Sequence, residues 1–186
     1  MAATTLVTWD EFLQLPDPPE GLGTHYELHD GEVVIVPTVS EDHNYLQLVI
    51  QLLLQNLAGS RGMIDKQAPY RPQPNLQYWQ ADLAYIPRAD IGRRRGNVGP
   101  WQVYTPPLII EILSPSNTAA DVHRQRMIAL SSGAEEFWVV HPKRCTVEVT
   151  TLHGTILYGL GESIPVGVLG GGIPVNQIFE NSPFEE

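Results

Sequence analysis

The chain has 186 residues, a length that suits one domain or a domain with a short arm. Hydrophobic residues make up 42% and charged residues 17%, which supports a packed core and argues against wholesale disorder. The formal net charge is −10, from 11 basic and 21 acidic residues. That balance argues against a protein that coats nucleic acid through its whole surface, although it leaves room for a local basic patch.

Compartment signals are few. The single cysteine, Cys145, excludes an intramolecular disulfide and fits a reducing compartment. Residues 1–16 show neither a basic segment nor a long apolar segment, so we expect no signal peptide, and residues 45–57 are too short and too polar to span a membrane. We expect a cytoplasmic protein with one domain over residues 1–186, in which residues 1–20 form an N-terminal helix and arm and residues 170–186 form a C-terminal tail.

The first predicted elements are a short helix and a hairpin. Thr8 and Glu11 have the spacing of a capping box, which predicts a helix from this point to about Leu15. The dipeptide Asp30-Gly31 lies between two β-type runs and predicts a β-hairpin.

A longer helix follows. Ser40 is a predicted N-cap, apolar residues recur at helical spacing over 46–57, and Gly59 is the predicted stop. Three further leucines widen the apolar stripe, so we expect this helix to be well buried: Leu48, Leu52 and Leu54.

The remaining elements predict a mixed α/β sheet with helices on its faces. The expected elements are two strands over 63–86, a loop over 88–105, a strand over 108–113 buried on both faces, a helix over 118–132, a strand over 137–140, and a hairpin turning at His153-Gly154. The strand at 108–113, the helix after it and the next strand make a plausible right-handed crossover unit.

Two carboxylates lie where the pattern predicts buried strands. Glu111 interrupts the apolar run 108–113. Asp82 falls in Gln80–Tyr85, where strand alternation places its side chain on the other face of the strand from Leu83. A buried, unpaired carboxylate costs several kcal/mol or shifts its pKa until it is neutral, so each position needs a cation, a donor network or a cleft. Two carboxylates on neighbouring strands can bind one divalent ion, and Mg²⁺ prefers such hard oxygen ligands. The alternative is that each carboxylate caps a helix or pairs with an arginine, because acidic residues 29 positions apart form no specific motif.

Several strings in chain order carry a family resemblance. They are Tyr26-Glu27-Leu28-x-Asp30-Gly31-Glu32, Ser40-x-x-His43, Gln80–Tyr85, Ile110–Ser116, Asp121 and Gly133–Val140. Over roughly residues 8–180 the chain resembles the Uma2 family of restriction-endonuclease-like proteins, within the PD-(D/E)xK nuclease superfamily. The resemblance implies a restriction-endonuclease-like fold with a mixed central β-sheet flanked by helices, a Mg²⁺ or Mn²⁺ cofactor, a DNA substrate and a homodimer.

The resemblance also implies roles for individual residues. Asp82 resembles the motif aspartate and Glu111 the second acidic metal ligand, with the carbonyl of Ile112 as a further ligand. Glu27 resembles the family's early acidic residue beside the site.

The lysine of the superfamily is missing from its usual place. Two residues after Glu111 the chain has Leu113, and at the family's other position, four residues after Asp121, it has Gln125. A glutamine can donate a hydrogen bond but carries no charge. Lys66 lies on a predicted strand that precedes Asp82, so we expect Lys66 or Gln125 to orient the attacking water.

Nucleic-acid contacts are predicted at His43, which could contact phosphate or support Glu27, and at Arg88, Arg93, Arg94 and Arg95. Residues 61–95 hold seven basic and three acidic residues, a balance of +4, so the rest of the chain carries −14. Positive charge beside a carboxylate site suits a phosphate backbone, whereas the alternative is a solvated loop without a partner.

The sequence therefore predicts a metal-dependent endonuclease that hydrolyses DNA phosphodiester bonds. A second interpretation is a catalytically weakened nuclease fold that binds nucleic acid or a protein, which the glutamine at 125 favours. A third is a metal-dependent hydrolase for another substrate.

Overall fold

The computed structural model describes residues 6–18, 24–73, 76–95, 103–114 and 117–180, except for the side chains of 93–95. The helices are α1 (Trp9–Phe12), α2 (Glu41–Ala58), α3 (Arg88–Arg95), α4 (Ala119–Ser131) and α5 (Val175–Phe179). The strands are β1 (His25–His29), β2 (Glu32–Val36), β3 (Gly62–Tyr70), β4 (Trp79–Pro87), β5 (Leu108–Ile112), β6 (Glu136–His141), β7 (Thr146–Thr151), β8 (Gly154–Tyr158), β9 (Ser163–Pro165) and β10 (Gly172–Pro174).

The central sheet has six strands in the order β3-β4-β5-β6-β7-β8. β5 and β6 are parallel and are joined through α4, while the other neighbouring pairs are antiparallel. The predicted strand-helix-strand unit with parallel strands is therefore confirmed. β1 pairs with β2, and β9 with β10, in separate two-stranded sheets.

Each face of the sheet packs against helices. On one face the apolar side of α2 and the C-terminal segment with α5 pack against the strands, and Leu46 and Ile50 share a buried cluster with Ile110. On the other face α4 packs against the sheet, and Val122 shares a cluster with Ile109. Alternate residues of β5 thus enter opposite cores, which confirms that this strand is buried on both faces.

Local capping signals set where the first two helices begin. The Thr8 hydroxyl accepts from the Glu11 amide at 3.3 Å, and the Glu11 carboxylate accepts from the Thr8 amide at 2.8 Å, so the capping box is confirmed. The helix ends at Phe12, three residues earlier than predicted. The Ser40 hydroxyl accepts from the His43 amide at 3.3 Å, which places His43 in the first turn of α2.

The β1–β2 hairpin is confirmed and is fixed against the sheet. Asp30 and Gly31 have φ values of 49° and 86°, a pair of positive angles that suits a tight two-residue hairpin turn. Leu28 and Tyr78 exchange two backbone hydrogen bonds of 2.8 and 2.9 Å, which attach β1 to the start of β4. The hairpin therefore forms a wall beside the end of the sheet.

Two predictions are wrong. The segment expected to be a loop over 88–105 begins with the helix α3, whose polar sequence has no apolar face to reveal it. Leu48 and Leu52 are not buried, since they are 51% and 56% exposed, because α2 contacts the sheet along one side only. Among the described helices none is long and apolar enough to cross a lipid bilayer.

Candidate active site

A cleft of about 620 Å³ lies between the hairpin, the first turns of α2 and α4, and the middle of the sheet. Its polar lining contains four carboxylates, from Glu27, Asp82, Glu111 and Asp121. Its opposite wall is apolar and comes from β2 and the segment that follows, through Val34, Val36 and Val39. The cleft therefore brings the two acidic residues predicted as metal ligands to one surface.

A local irregularity in β4 directs the Asp82 side chain into this cleft. The β3–β4 ladder pairs Lys66 with Leu83 and Ala68 with Ala81 but skips Gln67 and Asp82 between them. Gln67 has a φ of 50°, an uncommon value for a residue with a side chain. Ala81 and Ala84 also enter the same buried cluster although they are three positions apart. Simple alternation therefore fails at Asp82, and the side chain leaves the regular pleat.

The Asp82 carboxylate is held by three donors. Its Oδ1 atom accepts from Nε2 of His43 at 2.8 Å and from Nε2 of Gln47 at 2.9 Å. Its Oδ2 atom accepts from the backbone amide of Ile112 at 2.7 Å. A carboxylate has about four lone-pair sites, so one direction on Oδ2 stays open. Within the described chain no lysine or arginine pairs with this carboxylate.

Glu111 lies directly across from Asp82. The β4–β5 register pairs Leu83 with Ile110, and its next step brings these two acidic residues opposite each other. The Glu111 carboxylate accepts from Nε2 of Gln125 at 3.1 Å. The Asp82 side chain is thus fixed from the facing strand by the Ile112 amide, and the Glu111 side chain is fixed from α4 by Gln125.

The charge state of Glu111 differs from that of an ordinary glutamate. Burial, followed by the nearby charges of Asp82 and Glu27, raises the pKa of Glu111 well above its usual value. The hydrogen bonds from Asp82 and Gln125 oppose this shift but do not cancel it. The site therefore concentrates negative charge that a cation would relieve.

Glu27 is in the opposite situation. Burial would raise the pKa of Glu27, but the contacts of its carboxylate with His25, His29 and the backbone amide of Gln80 outweigh it and hold the pKa below its usual value. The His29 and Gln80 contacts measure 2.7 and 2.8 Å. Glu27 therefore stays ionised and links β1 to β4.

Other predicted residues lie in different surroundings. His43 bonds Asp82 rather than Glu27, and it is 6% exposed. Lys66 donates to Oδ1 of Asn44 at 2.7 Å and is not among the side chains that line the cleft. Arg88 is exposed at the start of α3, whereas the side chains of residues 93–95 fall outside the described part of the structure.

Sequence reasoning missed Gln47 and Arg124. Gln47 follows His43 by four residues, a spacing that places both side chains on one face of α2, so the signal was available. Arg124 lines the cleft and forms an ion pair with Asp30 at the tip of the hairpin. This long-range contact left no local pattern in the sequence.

The oxygen ligands that the cleft offers are of the kind that Mg²⁺ and Mn²⁺ prefer, but they are few. Among the described residues no three His, Cys, Asp or Glu side chains are arranged to hold a metal ion. Mg²⁺ keeps several of its waters and is commonly bound by one or two carboxylates, which is what Asp82 and Glu111 offer. The negative charge crowded at Glu111 adds to this fit.

A mixed sheet covered by helices, with an acidic cleft where two central strands separate, is a restriction-endonuclease-like arrangement. Residues 9–169 match the Uma2 family, described as "Putative restriction endonuclease", and the chain belongs to this family. It is also similar to a crystal structure described as a putative nuclease belonging to DUF820 from Anabaena variabilis. The TM-score is 0.78 at 19% identity, over 93% of this chain and 97% of that one. No curated protein matches significantly.

Proposed function

We propose that the protein is a Mg²⁺- or Mn²⁺-dependent endonuclease that hydrolyses DNA phosphodiester bonds. The observation that carries the proposal is the placement of Asp82 and Glu111, opposite each other on adjacent strands and facing one cleft. Family membership supports the reaction class. A cytoplasmic location and a homodimeric state complete the proposal.

In this proposal the carboxylates of Asp82 and Glu111, with the carbonyl of Ile112, hold the ion. When bound, it would supply an activated water and stabilise negative charge on the phosphate. His43 and Gln47 are positioning residues, because their hydrogen bonds fix the Asp82 carboxylate.

Two further residues complete the proposed machinery. Gln125 donates to Glu111 and lines the cleft, which supports a role for its amide in orienting a water molecule. Glu27 contributes a fixed negative charge beside Glu111. Lys66, whose ammonium group is bonded to Asn44, has no role in this proposal.

Incubation of the purified protein with supercoiled plasmid tests the proposal directly. We expect conversion to nicked and linear forms in Mn²⁺ or Mg²⁺ and none in EDTA. Absence of cleavage at every metal concentration, together with unaltered plasmid mobility at high protein concentration, would contradict both the enzyme and a DNA-binding role. Mobility shifts without cleavage would instead support the weakened binding module.

That second candidate rests on the neutral side chain at 125. We expect Gln125→Lys to raise the initial rate of plasmid nicking by about tenfold or more, because a cation beside Glu111 would stabilise the charge that develops on phosphate. Met127→Lys is the matched control, since it adds the same charge to a position of α4 that is 53% exposed and away from the cleft. Equal acceleration by both variants would show a general charge effect instead.

Gln47 gives a test of positioning. It is fully buried, and its carbonyl oxygen has no hydrogen-bond partner among the described residues. Gln47→Met should leave the melting temperature nearly unchanged, because relief of an unsatisfied buried acceptor, worth about 1–3 kcal/mol, offsets the lost hydrogen bond to Asp82. It should also slow cleavage, because Asp82 loses a donor. A variant with wild-type activity would remove Gln47 from the proposed machinery.

A further inference from the structure

Arg124 is the only lysine or arginine among the described side chains that line the cleft. It shares that lining with four carboxylates, so the cleft as it stands repels a polyanion. The Arg124 guanidinium is 39% exposed and forms an ion pair with Oδ2 of Asp30, which is itself 54% exposed. The single cation of this lining is therefore already occupied by a carboxylate at the rim.

The contact between Arg124 and Asp30 can be exchanged at little cost. An ion pair between exposed side chains contributes little to stability, because water screens both charges. Asp30 also keeps a separate anchor, since its Oδ1 atom accepts from Nε2 of Gln77 and its backbone amide donates to Oε1 of Gln77 at 3.1 Å. The hairpin tip therefore stays fixed if Arg124 leaves. A phosphate offers the guanidinium a bidentate partner with more negative charge.

We propose that Arg124 is a phosphate-binding residue of the cleft. In the free protein Arg124 pairs with Asp30, and when a nucleic-acid strand binds, one of its phosphates replaces the Asp30 carboxylate. This inference rests on the proposed function, since it takes the substrate to be a nucleic acid. It assigns the cleft its positive contact on α4, close to Gln125 and Glu111. It also explains how an acidic protein accepts an acidic ligand at this point.

Paired variants on α4 test the exchange. Asp30→Asn keeps an oxygen for Gln77 but turns an amide group towards Arg124, and a positive φ suits asparagine. Arg126 of the same helix also forms an ion pair, with Glu148, outside the cleft lining. Arg126→Gln and Glu148→Gln are therefore the matched controls for Arg124→Gln and Asp30→Asn. Thermal melting of all four variants confirms that each is folded.

The readout is the fluorescence anisotropy of labelled single-stranded and duplex 20-nucleotide DNA, with Ca²⁺ in place of Mg²⁺. Arg124→Gln should weaken binding about tenfold at low salt and reduce the salt-dependence slope by about one, the signature of one lost phosphate contact. Asp30→Asn should tighten binding about two- to fivefold, as expected for release of one exposed ion pair. The double variant should bind no better than Arg124→Gln alone.

Each outcome decides the proposal. If the wild type binds neither DNA, the proposed function fails and the exchange fails with it. If the wild type binds DNA but Arg124→Gln matches Arg126→Gln, or Asp30→Asn matches Glu148→Gln, the exchange alone is overturned. A gain from Asp30→Asn that persists in the double variant would also overturn it, because the gain would then come from net charge.

Discussion

Asp82→Ala should abolish metal-dependent plasmid cleavage, with a loss of about a thousandfold or more. Such a loss corresponds to about 4 kcal/mol of transition-state stabilisation, a plausible contribution from a ligand of a catalytic ion. The physical reason is that Asp82 is held by His43 and Gln47 with one lone-pair direction open towards the cleft. The measurement is the initial rate of nicking of supercoiled plasmid in Mn²⁺.

Two controls separate chemistry from folding. Asp82→Asn keeps the shape of the side chain and an oxygen that can accept from Ile112, so it should remain folded while losing activity. Glu32→Gln removes a carboxylate from an exposed position of β2 and should leave the rate unchanged. Cleavage that survives in folded Asp82→Ala protein would reject the assigned site and point to a contaminating nuclease.

Glu111→Gln should abolish cleavage and yet stabilise the metal-free protein at neutral pH. Its half-buried carboxylate lies near Asp82 and Glu27, so the folded state disfavours the charged form. A neutral amide of the same size removes that cost. The melting temperature should rise, at about 2–4 °C for each kcal/mol gained in a chain of this length.

The pH dependence of this gain has a definite sign. The folded-state pKa of Glu111 is raised, so the folded protein binds more protons than the unfolded chain between the ordinary and the raised pKa. Wild-type stability therefore falls relative to the variant as pH rises through this window. The two proteins should melt together at a pH below about 4, where glutamate is protonated in both states, and the gain should level off above the raised pKa.

Glu27→Gln provides the opposite case. Hydrogen bonds hold the folded-state pKa of Glu27 below its usual value, so its ionised form stabilises the fold at neutral pH. This substitution should lower the melting temperature at pH 7, and the difference should shrink as pH falls through the lowered pKa. A stabilising Glu27→Gln or a destabilising Glu111→Gln would contradict the charge states assigned to the cleft.

The sequence predicted elements whose signals are local. The capping residue at Ser40 and the turn at Asp30-Gly31 act over a few neighbours, and both are found where expected. The nearly continuous apolar run of β5 also predicted a strand buried on two faces. α3 was missed because its charged sequence has neither an apolar stripe nor a recognisable N-cap.

The candidate site was only partly predictable. The two carboxylates stand out because charge interrupts buried strands, and their shared position follows from the register of β4 and β5. The contact of Arg124 with Asp30 joins residues 94 positions apart, so no helical or strand spacing reports it. The contact of Lys66 with Asn44 of α2 joins residues 22 positions apart and likewise left no local pattern.

Asp82 and Glu111 contribute differently to the stability of the fold. The Asp82 side chain accepts a hydrogen bond from the main chain of β5 and contacts two residues of α2, so it would still stabilise a descendant that no longer cut DNA. Glu111, in contrast, destabilises the metal-free fold when its carboxylate is ionised. If a related protein loses its nuclease activity, we therefore expect Glu111 to be replaced before Asp82. Among related chains, the presence of that glutamate is the better indicator of a working enzyme.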